Sequence, residues 1–156
     1  MSAYAPILLA EDDPDDVFFM RRAFAEVRLT NPLLTVRNGQ EAIEYLTGTG
    51  EYADRRKYPW PCLLLLDLRL PLMDGFEVLA WLQKRRRPKD LMVAILSSSK
   101  LEADVLQAMK LGADAYWVKP QAFTDLLGIV LELRDRIKNR PEIPAWITPS
   151  QPEARL

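Results

Sequence analysis

Glu11-Asp12-Asp13, Asp67, Ser97 and Lys119 are the residues whose types and spacing suit shared chemistry. Each stands directly after a short apolar run: Ile7 to Ala10, Cys62 to Leu66, Leu91 to Leu96, and Ala115 to Val118. Runs of this length suit strands buried on both faces, as in a parallel sheet. If the strands share one sheet, their carboxyl ends bring acids, hydroxyl and ammonium to a single edge, where open α/β sheets place their sites. Carboxylates gathered there repel: at ~4 Å and an effective dielectric of ~20, each like pair costs about 4 kcal/mol. A divalent cation resolves that repulsion. Hard oxygen ligands suit magnesium, which keeps waters and recruits phosphate oxygens. Lys119 adds a positive charge and Ser97 a hydroxyl donor, with Asp67 as the expected reactive group. Taken singly, an aspartate after a strand is usually a helix cap, and a Lys-Pro pair carries no information. Their coincidence at matching strand ends carries the functional reading.

The elements that must position these residues alternate along the chain. Ile7-Leu8-Leu9-Ala10 predicts a first strand. Asp13 caps a helix that opens at Pro14 and carries Val17, Met20, Ala23, Phe24 and Val27 at helical spacing. Leu33 to Val36 predicts a second strand, and Asn38-Gly39 turns the chain into a helix with Ala42, Ile43 and Leu46. Residues 48–61 show no period and predict a long surface loop. Four leucines then run into Asp67. Pro71 and Asp74-Gly75 force a loop before a helix with Phe76, Val78, Leu79 and Leu82, which stops by Pro88. Leu91 to Leu96 predicts a fourth strand, and Leu101 to Leu111 a helix ended by Gly112. Ala115 to Val118 predicts a fifth strand, and Ala122 to about Lys138 a last helix. The tail from Asn139, with Pro141, Pro144, Pro149 and Pro152, is expected to lack regular structure unless docked. Five strands alternating with five helices imply an α/β fold: a parallel sheet covered on both faces.

Composition narrows the classes. A chain of 156 residues, 49% apolar, favours one domain with a real core. A net charge of −1 gives no basic field for nucleic acid, and Lys84-Arg85-Arg86-Arg87 reads as a solvated helix end. The chain has no histidine, which removes Ser-His-Asp and Cys-His catalysis, histidine-ligated zinc, and a phosphohistidine of its own. Any metal must be held by oxygen. Cys62 is the single cysteine, so no internal disulfide forms and a reducing compartment is expected. No signal-type or membrane-spanning apolar segment is visible, which predicts a cytoplasmic protein without membrane attachment.

Ile-Leu-Leu-Ala-Glu-Asp-Asp-Pro, Leu-Leu-Asp-Leu-Arg-Leu-Pro-Leu-Met-Asp-Gly, Leu-Ser-Ser-Ser and Gly-Ala-Asp-Ala-Tyr-Trp-Val-Lys-Pro together resemble the receiver domain of two-component response regulators. The resemblance covers about residues 5–138. It implies a flavodoxin-like (βα)5 doubly wound sheet with strand order 2-1-3-4-5, and a receiver domain over residues 1–138 followed by a proline-rich tail over 139–156. It implies Asp67 as the phosphoacceptor. Glu11 and Asp12 are then the acidic pair for Mg2+, with Asp12 the direct ligand. Asp67 itself and the backbone carbonyl of Arg69 complete the metal set. Ser97 matches the switch hydroxyl, Tyr116 the switch aromatic and Lys119 the phosphate-binding lysine, so that Asp67 and Lys119 carry the catalysis. The Lys119-Pro120 bond is expected to be cis.

Three departures matter. Ser97 replaces the commoner threonine and keeps the hydroxyl. Arg69 replaces a frequent asparagine, keeps the backbone ligand, and puts a side chain where it can crowd water during dephosphorylation. The 48–61 segment exceeds that of a minimal receiver. That insertion, with no DNA-binding domain after the last helix, resembles the small stand-alone regulators that partner phytochrome-type histidine kinases. A homodimer is expected through helix 4, strand 5 and helix 5. On the last helix, Leu126, Ile129 and Leu133 form one aliphatic stripe, and Leu127, Val130, Leu131 and Ile137 a second. One stripe serves the core and the other a partner. Two competing classes fit less well. An aspartate-nucleophile phosphohydrolase wants a second acid two residues after the nucleophile, where this chain has Arg69. A binding module indifferent to phosphate has no need of every ligand position being filled.

Overall fold

Four consecutive leucines can be buried only where both faces of a strand are covered. The computed structural model, which describes residues 5–139, places them at the centre of a five-stranded parallel sheet. The strands are β1 (Ile7–Ala10), β2 (Leu33–Val36), β3 (Leu63–Leu66), β4 (Met92–Ser97) and β5 (Ala115–Val118), in the order 2-1-3-4-5. The expected flavodoxin-like order is therefore the observed one. β1 and β3 pair in register from Ile7 opposite Leu63 to Ala10 opposite Leu66. That register sets Glu11 beside Asp67, just past the carboxyl ends of both strands. The chain leaves β1 toward β2 on one side and reaches β3 on the other, so the crevice at this switch point opens over the two acids.

Pleating sends alternate side chains to opposite layers. Ile7, Leu9, Leu63 and Leu65 pack under α1 (Pro14–Glu26) and α5 (Phe123–Lys138), with Met20, Phe24, Val130 and Leu133. Leu8, Ala10, Leu64 and Leu66 pack under α2 (Gly39–Thr47), α3 (Gly75–Lys84) and α4 (Glu102–Lys110), with Leu46, Leu79, Leu82 and Ala108. All four β3 leucines are fully buried, each stabilising by roughly 1.5–3 kcal/mol. The helix starts follow their caps. The Asp13 side chain accepts from Asp15 N–H, Asn38 from Glu41 N–H, and Asp74 with Glu77 forms a reciprocal capping box. α3 ends at Lys84, with Arg85 stacked 4.4 Å over Trp81 and Arg87 paired to Asp114. The basic cluster is thus a decorated helix end. No helix among the described residues is long and apolar enough to cross a membrane.

Four expectations need refinement or correction or fall out of reach. Residues 48–61 hold no strand or α-helix and are exposed over much of their length, as expected of a surface loop, but they are anchored. Gly50–Tyr52 is a 3-10 turn, Tyr52 and Trp60 are buried, and Tyr45, Tyr52 and Tyr58 form a ring cluster with centroids 5.0–6.0 Å apart. Tyr45 donates to Pro59 O at 2.7 Å, and Arg55 donates to Leu46 O and Tyr58 O, so the insertion is fastened to α2. On α5 the buried residues are Leu126, Val130 and Leu133, a stripe that takes members from both expected ones. Ile129 is only half-buried, and Leu131 alone among these aliphatics is exposed. Lys119-Pro120 is trans, since no described peptide bond is cis; trans is the lower-energy form of a prolyl bond. The tail expected to be irregular, from residue 140 on, lies outside the described residues.

Candidate functional site

The site grows from three strand ends. β1 delivers Glu11 and Asp12, β3 delivers Asp67, and β5 delivers Lys119. Carboxylate oxygens of Glu11, Asp12 and Asp67 lie within 4.8 Å of one another. Glu11 and Asp67 are buried, while Asp12 is exposed at the mouth. Lys119 Nζ stands among them, 2.7 Å from Glu11 Oε1, 2.8 Å from Asp67 Oδ2 and 2.8 Å from Asp16 Oδ2.

This arrangement is unbalanced. One ammonium faces Glu11, Asp16 and Asp67, with Asp12 alongside. Burial dominates Glu11 and pushes its carboxyl from 4.5 up to about 7. Lys119 pulls the other way, and the nearby Asp67 charge adds to the rise. Burial also opposes the charge on Lys119, but hydrogen bonds to Asp16, Asp67 and Glu11 together outweigh it and hold the amine firmly protonated. A surplus of hard carboxylate oxygens around one cation fits a divalent ion. Glu11, Asp12 and Asp67 have the composition and spacing to hold one.

The loop after Asp67 is held in place by close backbone approaches. Gly75 opens α3 and donates its N–H to Leu68 O at 3.0 Å. A Cβ on Gly75 would collide with the carbonyl oxygen of Asp67 and the Cα of Leu68, so only glycine lets α3 abut the acid. Arg69 N–H donates to Asp67 Oδ1 at 3.1 Å, which orients the carboxylate from its second oxygen. The Arg69 carbonyl, the expected metal ligand, belongs to this same backbone turn.

Ser97 and Tyr116 are joined to each other through Ser99. Ser97 is fully buried at the end of β4, and its Oγ accepts from Ser99 N–H at 3.2 Å. Tyr116 O–H donates to Ser99 O at 2.9 Å. Lys119 N–H donates to Ser97 O at 2.8 Å, which ties β5 to β4 beside the acids. The structure therefore brings Glu11, Asp12, Asp67 and Lys119 into one cluster and sets Ser97, Tyr116 and Arg69 around it.

Asp16, in the first turn of α1, is a participant that the sequence analysis does not single out. The signal the sequence carries is position: Asp16 lies in the first turn of α1, directly after the strand-end acids. Asp104 was also missed, and nothing local marks it. It takes a 2.5 Å hydrogen bond from Ser99 Oγ and lies 3.9 Å from the Arg69 guanidinium.

A doubly wound parallel sheet with paired acids, an aspartate and a lysine at its carboxyl edge defines the class of phosphoacceptor signalling domains. The chain matches the response regulator receiver domain over residues 7–131 and belongs to that family. It is 34% identical over 124 residues to response regulator Rcp1 of Synechocystis, covering 80% of this chain and 82% of Rcp1. Among solved structures it resembles the phosphorylated cyanobacterial phytochrome response regulator RcpA. That likeness has a TM-score of 0.77 and 33% identity, covering 92% of this chain and all of RcpA. It also resembles the Mn2+-bound form of Rcp1, with a TM-score of 0.74 and 31% identity, covering 90% of this chain and 99% of that one.

Proposed function

We propose that Asp67 accepts a phosphoryl group from the phosphohistidine of a sensor histidine kinase of the phytochrome type, with Mg2+ as the resident ion. The observation that carries this is the buried Asp67 carboxylate held between Lys119 Nζ and the Glu11-Asp12 pair. Glu11, Asp12, Asp67 and the Arg69 backbone carbonyl would hold the ion. When bound, Mg2+ neutralises charge on the transferring phosphoryl oxygens.

This chain's residues do the rest. An Asp67 oxygen forms the new P–O bond as the P–N bond to the donor imidazole breaks, and the electron pair leaves with the imidazole nitrogen. Lys119, kept protonated by its carboxylate partners, binds a phosphoryl oxygen beside Asp67. The new phosphate adds nearly two negative charges. They draw the Ser97 hydroxyl, and the Ser97–Ser99–Tyr116 linkage carries the change to β5. Water then returns Asp67 to the free carboxylate, so the domain catalyses only its own phosphorylation and dephosphorylation.

In this reading residues 1–138 are the receiver, residues 139–156 are a tail, and the protein works in the cytoplasm beside its kinase. Output runs through a homodimer on the α4–β5–α5 face, where Leu101, Leu106, Met109 and Leu131 are exposed. The direct test is incubation with acetyl phosphate and Mg2+ followed by intact mass measurement. Wild type gains one phosphoryl group and Asp67→Asn gains none. A variant that labels like wild type overturns the assignment.

A further inference from the structure

Arg69 has two attachments. Its backbone N–H holds Asp67 Oδ1 at 3.1 Å, and its guanidinium reaches across to α4, with Nη2 3.9 Å from Asp104 Oδ2. That same Asp104 oxygen accepts the Ser99 hydroxyl at 2.5 Å. Ser99 in turn takes the Tyr116 O–H on its carbonyl and receives Leu101 N–H on its Oγ. Asp104 is largely buried, with a side chain 21% exposed, whereas the Arg69 side chain is 68% exposed. Arg69, Asp104, Asp74 and Asp12 line one cleft of about 510 Å3 beside the acceptor. The acids and Arg69 thus share an opening in which Asp104 of α4 is the ion-pair partner of Arg69.

We propose that Asp104 is a positioning residue that competes with the anion on Asp67 for the Arg69 guanidinium. This rests on the phosphoacceptor reading above. With Asp67 free, Asp104 draws Arg69 toward α4 and away from the acceptor. When Asp67 carries a phosphoryl group, the doubly charged oxygens attract the guanidinium more strongly than one carboxylate does. Arg69 then leaves Asp104, and the oxygen that holds Ser99 loses its counter-charge. The start of α4 is thereby coupled to the acceptor by a route separate from Ser97. Asp104 touches neither phosphate nor metal; it acts by setting where Arg69 sits.

The test is a double-mutant cycle on the affinity for beryllofluoride with Mg2+, using the full chain. Asp104→Asn keeps an acceptor for Ser99 and removes the charge. Its direct electrostatic effect on an anion at Asp67 is the same whether or not Arg69 is present, so the cycle cancels it. Competition predicts that Asp104→Asn tightens beryllofluoride binding about threefold more in the Arg69 background than in Arg69→Ala, the scale of a half-exposed ion pair. Equal tightening in both backgrounds overturns the proposal while leaving the phosphoacceptor reading standing. Absence of Mg2+-dependent beryllofluoride binding in wild type overturns both.

Discussion

Glu11 shows how a buried acid is kept in store for a cation. Its carboxyl titrates at about 7 in the fold against an ordinary 4.5, because burial favours the neutral form and the nearby Asp67 charge adds to the penalty. A carboxyl raised on folding stabilises the native state fully below 4.5, and that contribution is lost as pH climbs through about 7. Without divalent metal, the melting temperature should therefore fall between pH 5 and pH 7 in excess of a Glu11→Gln control. A bound cation favours the ionised form, so the stabilisation added by Mg2+ should grow across the same interval. Thermal melts with and without Mg2+ read both slopes; identical slopes for wild type and Glu11→Gln would contradict the account. Part of this site was legible from residue types alone: three acids beside a lysine at strand ends need a cation. Asp16 is harder to place from sequence because the contact that recruits it joins residues 103 positions apart.

At the scale of elements, the sheet was legible because strand runs this apolar have no other use, and the strand bounds at Ile7–Ala10, Leu33–Val36 and Ala115–Val118 follow the sequence directly. α5 was harder. Its aliphatic residues are numerous enough that helical spacing alone allows several stripes, and the sheet selects the one that meets Leu9, Leu65 and Ala94. The 48–61 segment has no period for a related reason: Tyr52 and Tyr58 pack against Tyr45 of α2 and Trp60 joins the same core, and tertiary contacts of that kind leave no period. Gly75 is where an element directly constrains the chemistry. Gly75→Ala forces a methyl group into the Asp67 carbonyl, so it should destabilise by about 2 kcal/mol and shift the acceptor. Denaturant melts should show the lower midpoint, and acetyl phosphate labelling should slow in protein that remains folded. Wild-type stability and labelling would show that α3 does not need this approach.

For the whole molecule, signalling requires a surface that differs between the two states of Asp67. Leu101 at the cap of α4, Leu106 and Met109 within it, and Leu131 of α5 are exposed, and the proposed homodimer would cover them. Light scattering across concentration should find a dimer that beryllofluoride and Mg2+ strengthen, and Leu106→Glu should weaken it at least tenfold. A monomer in both states at hundreds of micromolar would move the output to a different partner.

In the proposed function Asp67 takes phosphate from a histidine kinase with a divalent ion held by its neighbours. The most direct measurement is transfer from a pre-phosphorylated phytochrome-type kinase, followed by mapping of the phosphorylated residue. Label should leave the kinase and appear on Asp67 of this chain, and should stay on the kinase when the metal is chelated or when Asp12 is replaced by alanine. Label mapped to another residue, or transfer that proceeds unchanged under chelation, would contradict it.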